Sequence, residues 1–470
     1  MQESKAPTKT TKLADQFSAL KMSRRQFLLL SAHSAAALAL FAACGRPSDE
    51  GAQAPSTGPV TLEFLAWGDT ADLPAWDKYV EIYKTRKPNV TVNVTTVADP
   101  GNNFYPKLMT MVAGGVTPDV SSFQGWEWQT YADRDLLQPI DDYIAADNFT
   151  DPYPEGVLSI EQSTVRDGKT YLIPLQIGTM VMFYAKKPFE EAGIPMPTDN
   201  WTMDEFLDIA QRLTDTSGAF KKFGIQANGN WFRDIGWMRA TGKQEFDDLI
   251  DPKKAMFTQP EIVDMVQLVA YDFYHTLNCS PTPADLEGGA NTIDTGNCAM
   301  KYEGAWYFPR LNSPDLRAEN KHVEFDVVMM PKGPDANRPH RGWAEGILLM
   351  KGKQVADAWG FASFMGSEEG DKIYSEITGR IPNSFKLLES FWLPMIKERF
   401  GVQNGQAFVE AIRSSEVDVI GGVPRSKMWA EVVKPVGWDP MINGSQTAAQ
   451  VLPKVDAELQ ALLDDYWDSL

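Results

Sequence analysis

Val60-Thr61-Leu62-Glu63-Phe64-Leu65-Ala66-Trp67-Gly68-Asp69 opens the stretch that decides the fold. The run is apolar and alternating as far as Trp67, and Gly68-Asp69 ends it, the pattern of a strand and a turn. Leu73, Trp76, Val80 and Tyr83 then recur at helical spacing until Lys87-Pro88, where proline enforces a stop. Val90, Val92 and Val94 alternate again. Phe104, Leu108, Met111 and Val112 make a second apolar helix face, ended by Gly114-Gly115, and Pro118-Asp119-Val120 opens a third short strand. Strand–helix–strand–helix–strand at this spacing predicts a parallel α/β unit. Ligands of such sheets sit beyond the carboxyl ends of the strands. Those ends carry Trp67-Gly68-Asp69 and Ser121-Ser122-Phe123-Gln124-Gly125-Trp126.

A second unit starts near Tyr171-Leu172-Ile173-Pro174-Leu175. Thr179 to Tyr184 reads as a strand, and Thr202 with Glu205 has the spacing of a capping box opening a helix. Pro260 to Asn278 reads as a helix, 279–297 as a Pro/Gly/Thr/Asn-rich loop, Val323 to Met330 and Ile347 to Met350 as strands. An amphipathic helix is expected at Val355–Met365 and a closing helix at Ala448–Leu463.

Residues 1–43 have the layout of an export signal, with a polar, weakly basic start followed by an apolar stretch from Phe27 to Ala43. Seventeen residues interrupted by Ser31, His33 and Ser34 are short for a membrane span, which needs about 20 apolar residues. Arg24 and Arg25, within Ser23-Arg24-Arg25-Gln26-Phe27-Leu28, resemble a twin-arginine signal, with Leu29 where lysine is usual. Phe41-Ala42-Ala43-Cys44-Gly45 resembles the bacterial lipobox, which implies that Cys44 is acylated and becomes the mature N-terminus. The other reading is a small-residue cleavage site with an incidental cysteine. Residues 44–59 then form a flexible tether.

The chain has 470 residues, 43% of them hydrophobic, enough for one large or two ordinary cores. Its 44 Lys and Arg stand against 63 Asp and Glu, a net −19. Removing residues 1–43 takes six basic and two acidic residues, so 38 and 61 remain, a net −23. Such a chain repels phosphate backbones, so no nucleic-acid partner is expected. Three cysteines are too few for an all-thiolate metal site. His275, His322 and His340 lack metal-ligand spacing, and there is no His-Glu-x-x-His, nucleophile elbow or phosphate loop. A glycosidase needs only two placed carboxylates, and 61 acids leave that alternative open.

The order of segments resembles the extracellular solute-binding proteins of ABC importers, specifically the carbohydrate-binding family that includes maltose-binding proteins. The resemblance spans about Val60 to Leu463. It is carried by Lys107-Leu108-Met109 through Val120, by Gly168-Lys169-Thr170-Tyr171-Leu172-Ile173-Pro174, similar to the family's "dGk.yglP", and by Tyr184 to Pro195 with Trp201. Gly296 to Met300, Gly304-Ala305-Trp306, Ala358-Trp359-Gly360-Phe361 and Ile381-Pro382 follow in order. Ala185 stands where the family usually has Asn. The resemblance implies an α/β, two-lobed periplasmic-binding-protein fold with a hinge and an interlobe ligand cleft. The first lobe is expected at 60–172 plus 345–380, the second at 173–344 plus 381–470.

Sugar recognition uses aromatic faces against pyranose C–H faces, with carboxylates, amides and Arg on the hydroxyls. Trp67 and Asp69, Gln124 and Trp126, Glu303 and Trp306, and Trp343 and Glu345 are candidate cleft pairs, the last at the expected return crossing Arg341 to Gly346. Trp231 stands in a loop-like segment that could wall the cleft, and Arg380 precedes Ile381-Pro382. Asp119 is either a ligand residue or a brace. Cys279 and Cys298 flank the 279–297 loop and are either a disulfide or two buried thiols. These residues point to a membrane-anchored, monomeric, non-enzymatic receptor without cofactor or metal. It would deliver a sugar to an ABC permease outside the cytoplasmic membrane. Acidic and aromatic candidates favour a neutral ligand; a polyol phosphate, peptide or metal chelate on the same fold is the alternative.

Overall fold

In a computed structural model, residues 53–68, 72–98, 103–150, 152–153, 157–218, 220–334 and 338–469 are described. The export signal, its Arg24 and Arg25, the lipobox Cys44 and the cleft candidate Asp69 lie outside the described residues. Residues 52–470 form one compact unit.

The expected parallel unit forms. Strands β1 (Val60–Trp67) and β2 (Val90–Val97) pair in parallel along their whole length, and β3 (Val120–Gln124) pairs in parallel on the other side of β1. Strand period sends Leu62, Phe64 and Ala66 to one face of β1, where they pack on Trp76, Tyr79, Phe361 and Tyr374. Leu65 and Trp67 face the other way, into a cluster with Phe104 and Phe123. Trp76, Tyr79 and Tyr83 share one face of the helix Leu73–Arg86, which starts with Pro74 and carries Lys84 and Arg86 in its last turn, where cations suit the helix dipole.

Three more strands complete this sheet. A hairpin of β4 (Val165–Arg166) and β5 (Lys169–Thr170), which pair only with each other, precedes the first of the three, β6 (Ile173–Thr179). The second sheet, in the order β10-β7-β9-β8, contains β7 (Val181–Ala185), β8 (Phe223–Ile225), β9 (Cys298–Glu303) and β10 (Phe325–Val328). The chain then returns to the first sheet through β11 (His340–Leu349), which pairs antiparallel with β3 and with β6, and in parallel with β12 (Ser415–Val417).

Two expectations are corrected here. Strand β6, expected to open the second lobe at 173, is hydrogen-bonded into the first sheet, and Met180 alone separates it from β7 of the second. Arg341 to Gly346, read as the return crossing, lies inside β11, so that crossing ends at His340. The two crossings are stitched together: His340 Nδ1 meets the Met180 carbonyl at 3.0 Å, and Thr179 Oγ1 donates to the Arg341 carbonyl at 2.9 Å.

The capped helix Met203–Arg212 appears as read, with the Thr202–Glu205 capping box. The closing helix runs Ala448–Asp468 and buries Val451, Leu452, Val455, Leu459 and Leu463 against the second sheet's helices. No helix among the described residues is long and apolar enough to cross a membrane.

Candidate functional site

An extended strand sends residues i, i+2 and i+4 to one face. On β11 these are Arg341, Trp343 and Glu345. The Arg341 guanidinium lies 4.0 Å over the Trp343 ring, and Trp343 Nε1–H donates to Glu345 Oε1 at 2.9 Å. Gln176, opposite Glu345 on β6, donates to the other carboxylate oxygen. Arg380 extends the row: Nη1 stands 4.0 Å from Glu345 Oε2, while Nε and Nη2 bond Asp72 at 3.1 and 3.2 Å. Its guanidinium lies 5.4 Å over Trp67.

Trp343 is also where the sheets' loops meet. Trp126, after β3, meets it edge-on at 5.2 Å, and Trp306, after β9, lies 6.0 Å away. Arg233 lies 5.8 Å over Trp306 and is ion-paired with Glu303. Arg425 covers Trp126 at 3.6 Å and Phe232 at 4.3 Å. Arg425 donates to Asp418, whose Oδ2 is also 3.0 Å from Arg341 Nε. Beside this group, Glu127 accepts from the amide and hydroxyl of Ser426 at 2.8 and 2.9 Å. A cavity of about 500 Å³ opens next to that bond, lined by Tyr105, Tyr131 and Arg134 on one side and Lys427, Glu431 and Tyr466 on the other.

Burial sets the electrostatics. It pushes the Glu127 carboxyl up to about 7 despite the Ser426 donors, and it raises Glu345 against the pull of Arg380. Arg341 is pushed down to about 10 by burial, with Asp418 opposing. Asp418 is the exception: burial raises it, but Arg425 and Arg341 outweigh that and hold it below the usual carboxylate range. Among the described residues no group of three His, Cys, Asp or Glu is placed to hold a metal ion.

Of the sequence candidates, Trp67, Trp126, Glu303, Trp306, Trp343, Glu345 and Arg380 are brought into this continuous contact network. Gln124 lies directly across from Glu345 on β3. Two candidates are not. Asp119 precedes β3 at the amino edge of the sheet, the end opposite Trp67, and accepts from the Glu63 amide at 2.9 Å, so it is a brace. Trp231 is fully buried between Phe246 and Phe257 because the supposed loop is the first turn of a helix, Trp231–Arg239; its neighbour Phe232 is the residue at the site. Of the two readings of Cys279 and Cys298, the structure has the buried thiols. They lie in different hydrophobic clusters, and Cys298 Sγ faces the Asn291 carbonyl at 3.2 Å. Arg341, Arg425, Asp418, Arg233 and Gln176 were missed. Strand alternation from Trp343 points to Arg341; Arg425 and Asp418 reach the site only through the fold.

A family model for bacterial extracellular solute-binding protein matches residues 67–372. This chain belongs to that family. The solute-binding protein is 23% identical to the arabinooligosaccharide-binding protein of Bacillus subtilis (strain 168) over 331 residues, 65% of this chain and 70% of the relative. It is 25% identical to the diacetylchitobiose-binding protein DasA of Streptomyces coelicolor over 325 residues, 66% of this chain and 68% of the relative. Among solved structures, an ABC substrate-binding protein of Listeria monocytogenes in complex with cycloalternan superposes with a TM-score of 0.74 at 22% identity, covering 86% of this chain and 99% of the other. Maltose-bound MalE3 of T. maritima superposes with a TM-score of 0.71 at 16% identity, covering 86% and 100%. The fold is the two-lobed one of these binding proteins.

Proposed function

We propose that this solute-binding protein captures a mono- or oligosaccharide between its lobes and delivers it to an ABC permease, held at the membrane by a lipidated Cys44. The observation that carries the reading is the convergence of Trp126, Trp306 and Trp343 from both sheets with Glu303, Glu345 and Arg233 at their edges. Indole faces suit the apolar faces of pyranose rings, and the charged groups suit neighbouring hydroxyl pairs. Relatives named for arabinooligosaccharide and diacetylchitobiose, and similar structures holding cycloalternan and maltose, support the carbohydrate class.

The first lobe is assigned 60–179 and 340–380, the second 181–328 and 381–470, with β12 reaching back into the first sheet. A ligand that touches both lobes only when they meet favours closure by its differential affinity. The site's carboxylates are engaged by guanidinium and indole donors, which suits a receptor better than the two catalytic carboxyl groups of a glycosidase.

The test is thermal melting of the protein from Gly45 onward against monosaccharides, oligosaccharides, polyols and small peptides. A ligand at 100 times its Kd adds about 2.7 kcal/mol and raises Tm by several degrees. A shift with one sugar class supports the reading. No shift with any carbohydrate, from folded protein free of co-purified ligand, refutes it.

A further inference from the structure

We propose that the sugar is an acidic one, and that Arg341 and Arg425 receive its carboxylate. The inference rests on the sugar-receptor reading and narrows it to uronic-acid-containing ligands.

Charge balance is the first argument. Arg341 and Arg425 are 5% and 2% exposed and share one close carboxylate, that of Asp418. The neighbouring Arg239 is satisfied elsewhere, by two bonds to Glu245 at 3.1 and 2.7 Å and one to the Val417 carbonyl at 2.6 Å. Glu127, the other carboxyl near Arg425, is already engaged by the amide and hydroxyl of Ser426, and burial pushes it up to about 7. Asp418 is the one carboxylate ion-paired to both guanidiniums, and the next nearest, Glu127 and Glu345, are held by Ser426 and by Trp343 with Gln176, so the two arginines lack a carboxylate each in a place shielded from solvent.

Hydrogen bonding is the second. Arg341 Nη1 and Arg425 Nε are buried with no hydrogen-bond partner among the described residues, and Arg341 Nε, though 3.0 Å from Asp418 Oδ2, lacks the alignment of a hydrogen bond. Buried donors of this kind are rare in native proteins and cost free energy until an acceptor arrives. A carboxylate is the acceptor that a guanidinium fork fits best.

Position is the third. These guanidiniums lie 4.0 Å over Trp343 and 3.6 Å over Trp126, on the platform proposed for the sugar ring. Trp343 is taken up by Arg341 and Gly178, so a pyranose would stack at the half-buried Trp306, 6.0 Å away, with its ring carboxylate turned toward the guanidiniums. Acidic and aromatic side chains alone favour a neutral ligand; the fold adds Arg341 and Arg425 beside them.

The experiment is isothermal titration of the protein from Gly45 onward with glucuronic and galacturonic acids and their short oligomers, against glucose, galactose and maltose, with acetate as a control for simple anions. Arg341→Gln and Arg425→Gln follow, each checked for folding by circular dichroism. The expected result is that an acidic sugar binds about tenfold or more tighter than its neutral counterpart, with the preference weakened by high salt and lost in either variant. Equal or tighter binding of a neutral sugar overturns the proposal and leaves the sugar-receptor reading standing. Binding of neither class overturns both. If both variants misfold, the preference and salt dependence of the unmodified protein decide alone.

Discussion

The indole of Trp343 lies against Gly178, its directly opposed partner across the antiparallel pair of β11 and β6. A Cβ at position 178 would collide with Trp343 Cε2, Nε1 and Cζ2. Trp306 repeats the arrangement over Gly304, where a Cβ would meet Cη2, Cζ3 and Cε3 of the ring. Two of the three converging indoles are therefore seated on backbone that has no side chain, which fixes their tilt without a flanking residue. Gly178→Ala must tip the Trp343 ring. It is expected to cost about 1–3 kcal/mol by overpacking and to weaken ligand binding together with Tm. Calorimetric titration and melting of the variant check this; unchanged affinity would show that ring placement does not matter.

Truncating tryptophans should separate platform from core. Trp306 is half-buried, so Trp306→Ala should lower affinity at small cost in stability. Trp231→Ala should cost about 3–5 kcal/mol and leave the affinity of the folded protein unchanged, because Trp231 is sealed between Phe246 and Phe257. Trp343→Ala should do both. An affinity loss at Trp231 equal to that at Trp306 would contradict the placement of the site.

What the sequence conceals is physically specific. The β1–β3 unit was legible because β1 alternates and its connecting helices carry one apolar face each. Only the end of strand β11, from Ile347, was legible, because the rest is buried on both faces and holds His340, Arg341 and Glu345 among two glycines, a composition without strand alternation. Asp119 could have been excluded from direction alone, since a residue preceding a parallel strand lies at the wrong edge for a ligand. Arg425 and Asp418 could not have been found, as no local pattern announces a contact with Trp126, some 300 positions earlier.

Arg380 and Asp72 make a buried pair linking the helix cap at 72 to the site. Removing one partner leaves the other buried and charged, so Arg380→Met is expected to lose about 3–5 kcal/mol. Urea unfolding measures the loss. A variant as stable as the parent would mean that Asp72 finds another partner or protonates at no cost.

Free thiols predict indifference to reductant. Burial pushes Cys279 up to about 12 and raises Cys298 further, so both should resist thiol reagents in the native protein. In protein starting at Gly45, unfolded without reductant, two thiols should titrate, and dithiothreitol should not move Tm. Zero thiols, or a Tm lowered by reductant, would restore the disulfide.

His340 gives the crossing between lobes a pH dependence of known sign. The Met180 carbonyl can only accept, so Nδ1 carries the proton, and Nε2 is buried without a partner among the described residues. Protonating Nε2 would place a charge and a second unsatisfied donor where two crossings meet. Burial, aided by Arg338, accordingly pushes the imidazole down to about 4. Between the ordinary value near 6.5 and about 4, the unfolded chain binds the proton and the folded one does not, so this contribution is complete above 6.5 and is lost as pH falls. At about 1.4 kcal/mol per pH unit, roughly 3 kcal/mol disappears across the window. Glu127 and Asp234, each raised to about 7, and Asp371, raised to about 8, act in the opposite sense, gaining stability as pH falls. The parent curve therefore mixes both signs, and the difference from His340→Gln isolates one. Gln can still donate to Met180 but does not titrate. Urea unfolding of both proteins between pH 7.5 and 4.5 should give a stability difference that is flat above about 6.5 and falls steadily below it. A difference that stays constant throughout would mean that His340 already takes up its proton in the folded protein.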